Sequence, residues 1–132
     1  MRKNLGLYRA KRESNGEWIE GYLYPSTGRD KGKWLITVVS LDLNTSNTYA
    51  IIPDTVGEFT GLFDRYGNGI FEGDIIEYFG EQFQVIWNKD EATFSIALGN
   101  NEYCYFDDLD SNLSAVIGNV YDNPEMQLEK EH

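Results

Sequence analysis

Asp74-Ile75-Ile76-Glu77-Tyr78-Phe79-Gly80-Glu81-Gln82-Phe83-Gln84-Val85-Ile86-Trp87 reads as two short strands joined at Phe79-Gly80. Both runs are rich in β-branched and aromatic residues and partly alternate polar with apolar, the period-2 pattern of a half-buried strand. Ahead of them, Gly73 permits a sharp entry and Asp74 is placed to accept hydrogen bonds from backbone amides of the preceding turn. Gly80 tolerates the positive φ of a tight hairpin, whose closure brings Ile76 and Tyr78 near Phe83 and Val85. Strand pairs of this kind open SH3-like small barrels.

Working outward, residues 17–24, 33–39, 93–98 and 102–106 repeat the same composition. The connections carry Asn15-Gly16, Thr27-Gly28, Asn44-Thr45-Ser46-Asn47, Gly67-Asn68-Gly69, Asn88-Lys89-Asp90 and Gly99-Asn100-Asn101. Gly and Asn accept the backbone angles of tight turns, and strands recurring every 8–12 residues with such punctuation predict an antiparallel barrel or sandwich. Only 54–56 and 107–113 look able to form a helical turn. The chain reads as all-β, with an SH3-like small barrel over residues 54–132 and an N-terminal strand-rich part over 1–53 packed against it. No Pro-, Gly- or Ser-rich linker separates the two, which predicts one compact unit. Ile75, Val85, Phe94, Ile96, Val116 and Ile117 are the expected core of the barrel.

A chain of 132 residues is enough for a self-sufficient core, and 9 Tyr, 7 Phe and 3 Trp exclude a disordered acidic tail. With 22 acidic against 11 basic side chains the formal charge is −11, which opposes binding to phosphate backbones. The charge is unevenly spread. Residues 1–33 hold 8 basic and 4 acidic groups, and the other 99 hold 3 basic and 18 acidic. Attraction between the basic segment and the acidic remainder explains this more readily than a partner-binding acidic face. Met1–Arg12 contains no apolar stretch like a signal h-region, no run is long enough to span a bilayer, and Cys104 stands alone. The expectation is a soluble cytoplasmic protein without disulfides, in which the acceptor patterns at Asn44 and Asn112 have no meaning.

Residue chemistry points away from catalysis. The one histidine is His132, so a triad, a zinc cluster or a histidine base would rest on the last residue. Cys104 sits between two tyrosines in an expected strand with no base nearby in sequence and reads as a packed thiol. Asp108-Leu109-Asp110-Ser111-Asn112 imitates the start of a calcium loop, but Leu113 stands where Gly is required and Asn119 where Glu is. Gly67-Asn68-Gly69 is followed by a strand, so no helix N-terminus receives a phosphate there. The carboxylate pairs at 107–108 and 90–91 are sequence neighbours, which point to opposite faces of a strand. No catalytic residue, metal site or cofactor is expected.

Asp54-Thr55-Val56-Gly57-Glu58-Phe59-Thr60-Gly61-Leu62-Phe63-Asp64-Arg65-Tyr66-Gly67-Asn68-Gly69-Ile70-Phe71-Glu72-Gly73-Asp74-Ile75-Ile76 resembles the central signature of the YopX family of phage and prophage proteins. Residues 116–125, VIGNVYDNPE, resemble that family's closing motif, and Tyr8–Arg12 with residues 15–22 its opening. Departures are small: Phe59 stands where Tyr is more usual, and Val120 where Ile is. The resemblance implies an all-β protein, its second half an SH3-type barrel beside a strand-rich N-terminal part, acting in a bacterial host cell. It carries over no catalytic or binding residue.

Together these readings favour a non-enzymatic protein-interaction module using an aromatic surface or sheet edge, because the rings outnumber what one small core consumes. The expected binding residues are Trp34, Tyr49, Phe59, Tyr66 and Phe71, clustered around the first half and the signature turn. The partner would be a host or phage protein or a second copy of the chain. The alternatives are nucleic-acid association through stacked aromatics and the basic N-terminal third, and an acidic surface mimicking DNA towards a host protein.

Overall fold

The computed structural model describes residues 7–26, 32–39, 46–98, 101–105 and 110–126. Among the described residues eleven strands form two antiparallel sheets, and the only helices are three-residue 3-10 turns. The expected turns at Thr27-Gly28 and Gly99-Asn100, and residues 44–45, 106–109 and 132, lie outside the described residues. The chain divides into two compact units, one up to Phe59 and one from Thr60 onward.

In the first unit β1 (Leu7–Lys11), β2 (Trp18–Pro25), β3 (Trp34–Val39) and β4 (Ser46–Ala50) form a meander, and the start of β5 (Gly57–Phe63) pairs with β1. Asn15-Gly16 makes the β1–β2 turn, with Gly16 at φ +74° and the Asn15 side chain accepting from the Glu17 amide at 3.0 Å. Beyond β4 the chain curls back on β1. Ile51 N donates to Trp34 O at 3.1 Å, Ile52 N to Lys11 O at 2.9 Å, and Glu13 N to Ala50 O at 2.9 Å. Thr55, in the 3-10 turn Pro53–Thr55, holds this closure. Its hydroxyl accepts from the Lys11 amide at 2.9 Å and donates to Ile52 O at 2.6 Å. Ala10, Ile36 and Ile51 form the buried core, with Tyr8, Ile19, Leu23, Val38 and Val56 packed against it.

The second unit contains the rest of β5, β6 (Gly69–Phe71), β7 (Asp74–Tyr78), β8 (Glu81–Asn88), β9 (Thr93–Leu98), β10 (Asn101–Tyr105) and β11 (Ala115–Asn119). Its five-stranded sheet runs β10-β9-β8-β7-β11, a meander whose last strand returns beside the first after the 3-10 turn Ser111–Leu113. The β7–β8 hairpin forms as expected and places Ile76 opposite Phe83, with Tyr78 opposite Glu81. Ile70, Ile76, Phe83, Val85, Phe94 and Ile96 form the core, and Trp87 meets Phe94 edge-on at 4.9 Å. Ile75 is also buried. Ile117, expected in the core, is instead 39% exposed. The β11–β7 pairing shifts register between Val116 and Gly118, and the extra residue of that bulge turns Ile117 outward.

Asp64 organises the signature. Its Oδ1 accepts from the amides of Tyr66 at 2.9 Å and Asn68 at 2.8 Å, while Oδ2 accepts from Asn68 Nδ2 at 3.4 Å and from Val116 N at 2.9 Å. One buried carboxylate thus ties the β5–β6 turn to β11, 52 residues away. Ten residues on, buried Asp74 accepts from the Phe71 amide at 2.8 Å, the turn role its position predicts. Gly73 between them has φ +94°, and a Cβ there would stand 3.1 Å from the Tyr121 ring. Burial pushes the Asp64 carboxyl up, but hydrogen bonds from Val116, Asn68 and Tyr66 outweigh it and hold the group below the ordinary carboxylate value. A lowered folded value means that this stabilisation is complete above the unfolded pKa of about 4 and is lost as pH falls through the folded one. Replacing Asp64 with Asn, which puts an NH₂ where one pair of donors needs an acceptor, should cost roughly 2–4 kcal/mol at neutral pH. Urea unfolding across pH checks this: the gap between wild type and D64N should narrow below about pH 4.

Candidate functional site

Alternation along the strands gives the first unit an inward and an outward face. Ile19, Leu23 and Ile36 point inward to the core, so their neighbours Trp18, Tyr22, Tyr24 and Thr37 point outward. Thr48, opposite Thr37, joins them. Arg9 and Lys11 enter the same face from β1, opposite Glu20 and Trp18, and Phe59 follows from Gly57, which pairs with Arg9.

Two features order this face. Thr37 Oγ1 donates to Tyr24 Oη at 3.0 Å, Tyr24 Oη donates to Thr48 Oγ1 at 3.3 Å, and the two threonine hydroxyls lie 2.9 Å apart. The hydrogen bond with Thr37, then that with Thr48, holds the Tyr24 phenol below its ordinary pKa. At the other end, the Arg9 guanidinium lies 4.8 Å and the Lys11 ammonium 5.4 Å from the centre of the Trp18 ring. Between them Tyr22 is 53% exposed and Tyr24 38%. The face therefore offers aromatic area with few rotors, hydroxyls that donate and accept, and two cations beside an indole. This chemistry suits a peptide or protein surface.

The five expected binding residues do not form one patch. Trp34 and Tyr49 belong to the inward-facing set of the first unit: Trp34 is exposed at the start of β3, and Tyr49 is half-buried with the Arg12 guanidinium 4.0 Å over its ring. Phe59, half-buried, lies on the outward face. Tyr66, in the second unit, is exposed in the β5–β6 turn with Arg65 5.0 Å from its ring centre. Phe71 is 3% exposed, its amide tied to Asp74, so it presents no ring to a partner. Sequence reasoning passed over Trp18, Tyr22 and Tyr24, although their even spacing along one strand run already places them together.

Among the described residues, no group of three His, Cys, Asp or Glu side chains gathers as metal ligands. The Cys104 backbone lies in β10, and its side chain is outside the described set. A cleft of about 140 Å³ lined by Gly73, Gln84, Trp87 and Tyr121 among others is well below the few hundred Å³ usual for small-molecule sites. No helix of the described chain is long and apolar enough to cross a membrane.

The approach of β2 to β3 leaves no room for a side chain at Gly21, where a Cβ would run into the backbone carbonyl of Thr37 and press on Ile36. Gly21→Ala should destabilise the first unit by roughly 1–3 kcal/mol, read as a lower melting temperature together with shifted Thr37 and Tyr24 resonances.

No curated protein matches this chain significantly. Residues 7–128 match the model of the YopX protein family, from the first strand to just past the closing turn. Thr55, Asp64, Gly73 and Asp74, which the structure employs in its turns, lie within that range, and the chain belongs to the YopX family.

Proposed function

We propose that this YopX-family protein is a non-enzymatic protein-interaction module of a phage or prophage, working in the bacterial cytoplasm and taking its partner on the outward face of the first unit. The observation carrying the reading is the pair of exposed rings Tyr22 and Tyr24 on one face of the sheet, with Tyr24 held by the Thr37 and Thr48 hydroxyls. Large rings held in few rotamers bind with little loss of side-chain entropy, which makes tyrosines frequent anchors of protein interfaces. The order β10-β9-β8-β7-β11, with a 3-10 turn before the return strand, supports reading the second unit as an SH3-type barrel, a scaffold that elsewhere presents peptide-binding grooves.

A second reading, single-stranded nucleic acid stacked on the same face, is favoured by Arg9 and Lys11 beside Trp18. The formal charge of −11 and the engagement of both cations with the indole weigh against it.

Wild-type protein and a Y22S/Y24S variant, immobilised in parallel and challenged with extract of an infected or lysogenic host, test the proposal. A specific protein partner should be held by wild type and bound at least about thirtyfold more weakly by the variant, the loss expected of a hot spot of about 2 kcal/mol. Equal retention by both contradicts the assignment. Retention of a single-stranded oligonucleotide that falls steeply with salt would favour nucleic acid instead.

A further inference from the structure

The tip of the β7–β8 hairpin in the second unit carries Phe79, 76% exposed and at φ +51°. With Gly80 at φ +80° it forms the two central residues of a turn between the paired Tyr78 and Glu81. Two-residue hairpin turns with positive φ at both centres suit Asn-Gly or Asp-Gly, and a bulky aromatic at the first centre is strained. Both the turn and the surrounding water therefore disfavour Phe at this position, so a contact outside the chain accounts for it better than local stability does.

The surroundings of the ring indicate what it would contact. Tyr78 meets Phe79 edge-on at 4.6 Å and 70°, which steadies the exposed ring. Beside it lies an open hollow of about 270 Å³ lined by Tyr78, Phe79, Glu81 and Phe83, three aromatic walls and one carboxylate. A guanidinium is the group that such a hollow satisfies, since it stacks on aromatic faces and pairs with a carboxylate. From Thr60 onward the chain holds 15 acidic and 3 basic side chains, a net of −12. That field repels anionic lipid, nucleic acid and a second copy of the same unit while attracting a basic partner.

We propose that the β7–β8 tip docks a partner protein presenting an arginine, which enters the hollow towards Glu81 while the Phe79 ring covers apolar atoms beside it. The site lies on a different unit from the tyrosine face and does not depend on it.

NMR titration of the full chain with N-acetyl-arginine-N-methylamide, and with its uncharged citrulline counterpart, tests the proposal. The arginine probe should shift Tyr78, Phe79 and Glu81 resonances saturably in the millimolar range, with the citrulline probe at least fivefold weaker. E81Q and F79N should each weaken the response at least fivefold, and F79N, which restores Asn-Gly to the turn, should melt no lower than wild type. Equal responses to the two probes, no response, or shifts confined to another surface would overturn the proposal. A lower melting temperature for F79N would do so by making the ring structural. Phe79-dependent binding to phosphatidylcholine vesicles, or Phe79-dependent self-association in sedimentation, would overturn it by assigning the ring to a different occupant.

Discussion

The carboxylate of Asp64 takes four hydrogen bonds from Tyr66, Asn68 and Val116, and the second unit's turn and return strand are both held through it. A buried carboxylate is costly unless hydrogen bonds compensate it, and one donor to Asp64 comes from Val116, 52 residues along the chain. The constraint is mutual. Removing the carboxylate takes the acceptor from amides of the β5–β6 turn and of β11 together, whereas moving β11 would take from Oδ2 the backbone amide of Val116. Arg65 N to Ser114 O at 2.9 Å, and the Ser114 hydroxyl to Ser111 O at 2.7 Å, extend the same junction into the 3-10 turn that introduces β11.

The other polar residues of the signature work in the same way. The Thr55 hydroxyl joins Lys11 to Ile52, the Thr60 hydroxyl donates to Ile70 O at 2.7 Å, and Asp74 holds the amide of Phe71. The closing motif repeats the device: Asn119 Oδ1 accepts from Tyr121 and Asp122, and Val120 N reaches Gly73 O at 2.9 Å. Side chains committed to backbone groups in this fashion are poor candidates for chemistry on a substrate. This accounts for the central signature contributing turns through Thr55, Asp64 and Asp74.

Much of the architecture was legible in the sequence because β2, β3, β7, β8 and β9 are rich in β-branched and aromatic residues and partly alternate, and the turns between them carry Gly or Asn. The strands that periodicity does not single out are β1, β4, β5, β6 and β11. Leu7–Lys11 carries two basic residues in five, Ser46–Ala50 is an edge strand of mostly polar residues, Gly57–Phe63 and Ala115–Asn119 are broken by glycine, and Gly69–Phe71 is only three residues long. Such strands exist because tertiary pairing overrides weak local preference. The bulge that exposes Ile117 depends on a pairing partner far away in sequence. The outward tyrosine face is hard to find for a related reason: the side of the sheet that Trp18, Tyr22 and Tyr24 occupy follows from their parity along β2, not from closeness to the signature.

The most direct test of this account is a carboxyl-carbon NMR titration of Asp64 in the intact protein, with the amides of Tyr66, Asn68 and Val116 followed in the same samples. The account predicts a midpoint below that of an ordinary aspartate, with all three amide shifts moving at that same midpoint. A midpoint at or above the ordinary range, or amides that ignore the titration, would contradict the claim that this carboxylate holds the signature together.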